Sequence, residues 1–474
     1  MRLSANLKQA AAAAVLFALI VHTADAHDPG VGIVRYNPDG TLDQSFGNKG
    51  IVSERTPQGG LDPEALVLQA DGKILLAGTT SDLTSATVGF GLARYNSDGS
   101  LDTSFGSGGR VLTLAGQGEA DAHAVVLQPD GSILVAGSAF ADKGGASQFA
   151  IARYTSSGSL DPSFGSGGLV LTSAGESGAE ARGIALQSDG RIAAVGTSFG
   201  TADHDDAFAL VRYMPDGSLD TSFGDGGTII TEFTTPSGPA RGNAIIVQPD
   251  GMIFAAGSAG GHAGSLALVR YTTSGTAAPT ATQLQASAQG YALAPQPDGR
   301  VLVAGAVGSA DSQSFCLTRY LADGNLDASF GNAGTATTSF DGGGSGAHGV
   351  LVQPDGKVVL VGSGSAGFAA ARYTTNGSLD PTFGSGGKLV TMVSDAGSFP
   401  AAVAMQPDGK LISVGLTYFY VPPPDSGPPW WQIAALVVIA AVLVTAVVGS
   451  WMRKRARAAT GRTGPAPEAS PPVR

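Results

Sequence analysis

The sequence predicts an all-β fold: a seven-bladed β-propeller closed by pairing an N-terminal with a C-terminal half-unit, followed by one C-terminal transmembrane helix. Three observations carry this expectation. An Arg-Tyr pair recurs seven times, at Arg35-Tyr36, Arg94-Tyr95, Arg153-Tyr154, Arg212-Tyr213, Arg270-Tyr271, Arg319-Tyr320 and Arg372-Tyr373. Strand-length apolar runs alternate with turn signals throughout residues 27–429, and no stretch there holds a helical apolar period over about 11 residues. Near the C-terminus, residues 430–452 run without a charge, long enough to cross a hydrocarbon core of about 30 Å.

Residues 1–26 read as a secretory signal. Arg2 and Lys8 supply a positive start, residues 10–21 an apolar stretch, and Ala24-Asp25-Ala26 a small-x-small cleavage site.

The repeated units follow. The Arg-Tyr spacings are 59, 59, 59, 58, 49 and 53 residues. A second mark, Gln-x-Asp-Gly, also occurs seven times, ending at Gly72, Gly131, Gly190, Gly251, Gly299, Gly356 and Gly409. A third, Leu-Asp-x-[Ser/Thr]-Phe-Gly, is anchored on Phe46, Phe105, Phe164, Phe223, Phe330 and Phe383. The fifth unit lacks it, reading Ser274-Gly275-Thr276-Ala277, and is shorter by about ten residues. Each unit reads as four strands; in the first full one these are residues 64–69, 73–78, 90–95 and 110–114, with Asp71-Gly72 as a hairpin signal. Four-stranded units of this length, side by side, are the pattern of a propeller. Residues 31–56 hold only the third and fourth strands of a unit, and residues 400–417 only the first and second. Joined, they make the seventh blade, so the propeller is expected over 31–420.

Units such as ALVLQADGKILLAG followed by FGLARYNSDGSLDTSFGSGGRVLT resemble the delta-60 repeat, a bacterial propeller-type repeat, over roughly residues 31–417. The resemblance implies a secreted or envelope β-propeller and carries no settled activity.

Behind the ring come a Pro-rich linker (421–429), the span (430–452) with Trp430, Trp431 and Trp451 at its edges, and a basic tail (453–474). Arg453, Lys454, Arg455 and Arg457 place that tail in the cytoplasm by the positive-inside rule. The expectation is a single-pass membrane protein, its propeller periplasmic or extracellular, with the lipid bilayer as one partner.

Composition sets limits. Gly (70) and Pro (26) make up about 20% of 474 residues, below the range of disordered chains. Cys316 stands alone and excludes a disulfide framework. The net charge of −11 argues against a nucleic-acid partner. Nucleophile elbow, P-loop, HExxH and dinucleotide fingerprints are missing from the sequence.

Residues present in every unit read as packing. The glutamines of Gln-x-Asp-Gly are expected to bind backbone near the turn, and the phenylalanines to fill the space between blades. The arginines invite pairing with Asp43, Asp102, Asp161, Asp220, Asp327 and Asp380; Arg270 persists without such an aspartate. Backbone carbonyls or a neighbouring blade are therefore further partners. Residues 96–102 (NSDGSLD) look like half a calcium loop but lack the distant bidentate Glu, and read as a turn.

Variation points to the site. The turns and SFG loops that share one face are uniform, whereas the loops between second and third strands (79–89, 138–148, 197–207, 258–265) differ. Ligands are expected on the diverse face. Seven residues before each turn aspartate, where the first strand is expected to begin, stand Glu64, His123, Arg182, Asn243, Tyr291, His348 and Ala401. The first six form a polar ring, a candidate small-ligand or ion site at the channel mouth. Asp203, His204, Asp205 and Asp206 are the densest candidate metal ligands; no cofactor is required, and calcium or another divalent ion is the one that would fit.

The function expected is a non-catalytic binding or scaffold module of a bacterial cell envelope. It would act as a monomer and meet an envelope protein, glycan or small ligand. The alternative is an exported propeller enzyme, a hydrolase or lyase with its site at the channel mouth.

Overall fold

The computed structural model describes residues 27–420, apart from 57–59, 83–86, 143, 202–204, 235–237, 262–263, 285–286, 310–311, 341–343 and 365–366. The signal segment, the linker, the apolar run 430–452 and the basic tail lie outside the described residues. Among the described residues no helix is long and apolar enough to cross a membrane.

Among the described residues twenty-eight strands form seven four-stranded antiparallel sheets, one per repeat. The first complete blade is β3 (Leu61–Leu68), β4 (Ile74–Asp82), β5 (Thr87–Tyr95) and β6 (Arg110–Thr113). The β3–β4 turn shows why Gln-x-Asp-Gly recurs. Gly72 takes a φ of 83°, which costs a side-chain-bearing residue and not glycine. Its N–H donates to the Gln69 carbonyl at 2.9 Å, and the Asp71 carboxylate accepts from the Lys73 N–H at 3.2 Å.

Closure follows the half-unit pattern. β1 (His27–Tyr36) and β2 (Ile51–Arg55) join β27 (Ser398–Met405) and β28 (Leu411–Tyr420) in one sheet of order β2-β1-β28-β27. The β1–β28 ladder runs from His27↔Tyr420 to Tyr36↔Leu411, so pairing starts four residues before Val31. The first strands of neighbouring blades touch one another around the whole ring.

The core lies between blades, where both faces of the middle strands are covered. Ile74, Leu75, Leu76 and Ala77 of β4 are all fully buried. Phe46, Phe105, Phe164, Phe223, Phe330 and Phe383 are fully buried as well, as inter-blade packing requires. Each stacks under its arginine; the Arg94 guanidinium lies 4.4 Å from the Phe105 ring.

Six of the seven arginines have both kinds of partner expected of them; Arg270, in the blade without the aspartate, keeps a buried Nε that meets no acceptor among the described residues. Arg94 Nε meets Asp102 Oδ2 at 2.7 Å within the blade, and its Nη1 donates to the Ser156 carbonyl of the next blade at 2.7 Å. All six Arg–Asp pairs repeat this at 2.7–2.9 Å. Arg372 reaches across the closure to the Pro38 carbonyl. Removing one member of such a buried pair costs about 3–5 kcal/mol.

The tyrosines beside them hold the other flank. Tyr213 Oη donates to Thr172 Oγ1 on the preceding blade's fourth strand at 3.0 Å, and Tyr36 closes the ring to Thr391 at 2.8 Å. In one blade the acceptor is Glu54, which also takes Arg110.

The short fifth unit builds its fourth strand in its own way, and one expectation needs adjusting. The fifth blade is complete: without an SFG loop, Tyr271 passes through a turn closed by Thr272 N–H to the Thr276 carbonyl. It enters a fourth strand, Ala277–Thr282, of six residues rather than four. Six of the first strands begin three residues earlier than expected, as at Leu61 rather than Glu64, and the one at Ala347 begins one residue before His348. A proline at position 63 reads as a strand breaker, but a bulge just after it lets the ladder continue.

Candidate functional site

Every first strand carries one β-bulge, and in every blade the extra residue is the one singled out by the sequence. Along β3 the partners step from Pro63↔Gly78 to Ala65↔Ala77, which leaves Glu64 without an opposite number. The same step passes over His123, Arg182, Asn243, Tyr291, His348 and Ala401. A bulge turns its residue away from the regular alternation and sharpens the local twist.

The glycine opposite makes room for it. A Cβ on Gly78 would overlap the Asp62 carbonyl oxygen, and Gly137, Gly196, Gly257, Gly305, Gly362 and Gly415 are confined in the same way. The Ala-Gly or Val-Gly step in each second strand is thus the sequence signature of the bulge.

The seven bulge residues converge. With Asp62, Pro63, Ser363, Phe399, Pro400 and Leu416 they line one cavity of about 420 Å³ at the mouth of the channel, in the size range of ligand sites. It lies at the end of the first strands away from the Gln-x-Asp-Gly turns, on the diverse face.

Neighbouring ring members interact. His123 Nδ1 lies 2.6 Å from Glu64 Oε2, and only 9% of the His123 side chain is exposed. Tyr291 and His348 stack with centroids 4.7 Å apart and planes 14° from parallel. Burial holds the His348 imidazole below its ordinary pKa, outweighing the opposite pull of Glu64. Burial also raises the Tyr291 hydroxyl. Asn243 Nδ2 donates to the Gly290 carbonyl at 2.7 Å.

Sequence reasoning missed a second ring, two residues upstream of the first. Asp62, Asp121, Glu180, Arg241, Gln289 and Phe399 stand there, and they set the charge of the mouth. Glu180 Oε1 takes Arg182 Nε at 2.7 Å, and Gln289 Oε1 takes the Tyr291 hydroxyl at 2.5 Å. Asp62 lines the cavity and keeps more than a third of its surface exposed, yet its carboxyl loses solvent. Burial first, then Glu64, push it up to about 6; His123 opposes and Asp121 adds to the rise. The same counting back from the turn aspartate would have found this ring.

The acidic loop cluster is only partly placed. Asp203 and His204 lie outside the described residues, and Asp205 is exposed. Asp206 accepts from the Gly200 N–H at 3.0 Å and pairs with Arg241 at 3.2 Å. Among the described residues no three His, Cys, Asp or Glu side chains are grouped to hold a metal ion. Cys316 is buried, its thiol pushed up to about 11 by burial.

Seven segments match the family described as a domain of unknown function (DUF5122) beta-propeller: residues 26–46, 69–105, 128–164, 187–223, 248–278, 296–330 and 353–383. All seven bulge residues fall between or beyond those segments. The matched part is the scaffold of turns, Arg-Tyr pairs and SFG loops, while the mouth is built from the intervening stretches. No curated protein matches the chain.

Among solved structures, the chain is similar to a catalytically inactive virginiamycin B lyase from Staphylococcus aureus with quinupristin. Identity is 13% over 75% of this chain and 96% of that one, with a TM-score of 0.46. A Lactobacillus plantarum protein shares 16% identity over 77% and 97% (TM-score 0.43), and one from Dyadobacter fermentans 14% over 82% and 100% (TM-score 0.41). At that similarity no chemistry transfers to this chain. The seven matched segments and seven closed sheets make it a β-propeller repeat protein.

Proposed function

We propose that the protein is an exported, membrane-anchored propeller of the delta-60 type that binds a small ligand, or an exposed group of an envelope partner, at its channel mouth. It acts as a non-catalytic monomeric module. The convergence of seven bulge residues from seven blades on one cavity carries this reading. A scaffold alone needs no such set: the turns and SFG loops are near-identical from blade to blade, whereas the bulge position holds Glu, His, Arg, Asn, Tyr, His and Ala. Export rests on residues 1–26 and anchoring on 430–452 with its following arginines.

The enzyme alternative has one observation in its favour, the Glu64–His123 contact beside an Asp62 poised near 6, a pairing suited to acid–base work. The binding reading is preferred because the Tyr291–His348 stack and exposed Phe399 add a recognition surface.

The test is capture of small molecules and partners from envelope extract by the full chain in detergent, beside His123→Ala/His348→Ala. A ligand retained by the wild type and lost by the double variant is expected. Equal retention would sink the reading, and turnover of a retained compound would replace it with the enzyme.

A further inference from the structure

Six blades close on one shared clasp, and the fifth does not. In the six, the arginine Nε meets its aspartate at 2.7–2.9 Å. The guanidinium lies 3.9–4.7 Å from the ring of the phenylalanine three residues beyond that aspartate. That ring also fills the hollow beneath the turn glycine of the next blade. A Cβ on Gly158 would lie 2.9 Å from Phe105, and the five equivalent glycines come within 3.3 Å of their own phenylalanines. The glycine after the phenylalanine then caps the same turn, as the Gly106 N–H does the Ser157 carbonyl at 2.9 Å.

Arg270 stands at the same place in β17 (Ser265–Tyr271), one residue before the tyrosine, but residues 272–276 turn directly into β18 (Ala277–Thr282). The unit therefore carries neither the aspartate nor the phenylalanine. The Arg270 Nε is buried and meets no acceptor among the described residues, while the residue as a whole is partly exposed. Asp323, on the facing turn, is occupied by Asn325, whose N–H it accepts at 2.9 Å and whose Nδ2 at 3.0 Å. Beneath that turn, a Cβ on Gly324 would meet only the Arg270 Cβ, at 4.0 Å. The Asp323 carbonyl receives no capping N–H among the described residues.

We propose that blade five presents an open clasp for an acidic–aromatic peptide loop of another protein. An aspartate of that loop takes the Arg270 Nε, an aromatic ring three residues on lies between the guanidinium and Gly324, and a peptide N–H reaches the Asp323 carbonyl. A buried donor left unbonded is costly, and a charge-assisted bond to a carboxylate removes that cost. The ring adds the cation–π contact that the six sister arginines already have. These six clasps define the occupant, a carboxylate and a ring carried on one short loop. A lone anion would pair the Nε and leave the hollow at Gly324 open, whereas an apolar side chain alone would leave the Nε unpaired. The clasp lies on the uniform face and does not rest on the mouth being a binding site.

The full chain in detergent is titrated calorimetrically near neutral pH with a peptide of residues 100–109 (SLDTSFGSGG), the same peptide with Asp102→Asn or Phe105→Ala, and sodium acetate. One peptide bound per chain is expected. Its affinity should fall at least about tenfold with either change in the peptide and with Arg270→Gln in the protein. Circular dichroism checks that this variant is folded. A second variant, with residues 101–109 inserted after Thr276, should fill its own clasp and lose the peptide. No binding, equal binding of the altered peptides, an affinity untouched by Arg270→Gln, or acetate bound as tightly as the peptide would each overturn the proposal. Undiminished binding to the insertion variant would place the peptide elsewhere and overturn it as well.

Discussion

His123 Nδ1 lies 2.6 Å from Glu64 Oε2, although 59 residues separate them. They meet because each is the extra residue of a β-bulge on the first strand of its own blade. One backbone device, repeated seven times, turns seven unrelated side chains into the wall of one cavity.

The device depends on the facing glycine. Gly137→Ala places a Cβ on the Asp121 carbonyl, and relief requires the bulge at His123 to shift. A loss of about 1–3 kcal/mol in chemical denaturation is expected. Ala136→Gly, one residue away, leaves the bulge room intact and serves as the control. Equal loss of captured ligand in both variants would contradict the role given to Gly137.

The SFG bends supply a gain instead. Ala333 takes a φ of 49° where the equivalent Gly108, at 61°, has nothing within 4 Å of a Cβ. Ala333→Gly should raise stability by about 1 kcal/mol, because the left-handed region costs an L-residue that much. A lower thermal midpoint would show that the bend is not strained there.

Stability at acid pH should follow the aspartates of the Arg clasp. The Ser104 hydroxyl first, then the Ser104 N–H and Arg94, outweigh burial and hold Asp102 down at about 2. A depressed carboxylate stabilises the fold above its unfolded value near 3.9, and that share is lost as pH falls through about 2. Asp102→Ala should therefore cost about 3 kcal/mol at pH 7, with the gap to wild type closing between about pH 4 and pH 2. A gap independent of pH would assign the loss to packing.

Asp62 works in the opposite sense. Its folded value of about 6 lies above the unfolded one, so ionisation weakens the fold as pH rises from about 4 to about 6. Asp62→Asn should raise the thermal midpoint at pH 7.5 and leave it unchanged near pH 4. Burial leads the rise of the Asp62 carboxyl, Glu64 and Asp121 add to it, and His123 opposes it. A midpoint lowered at pH 7.5 would mean that Asp62 is compensated within the protein.

The ring was legible because turn chemistry and half-units are local signals. Gly72, Asp71 and Gln69 encode one hairpin, and residues 31–56 lack two strands that residues 400–417 supply. The candidate ring was legible because polar residues recurred at one offset from the turn. Its neighbours Asp62 and Asp121 were not read, because the first strand was started at the bulge residue; that the ladder continues past the bulge shows only in pairing. The Tyr–Thr links were missed for a related reason. Tyr213 and Thr172 are 41 residues apart on different blades, and no local pattern joins them.

The claim that ligands meet the mouth is most directly tested by hydroxyl-radical footprinting of the full chain with and without envelope extract. Phe399, half exposed, and Tyr291 mark the mouth; Met214 and Met252 mark the uniform turns at the other end of the channel. Protection of Phe399 and Tyr291, with Met214 and Met252 unchanged, is the expected result. Protection confined to Met214 and Met252 would place the binding face on the opposite side of the ring.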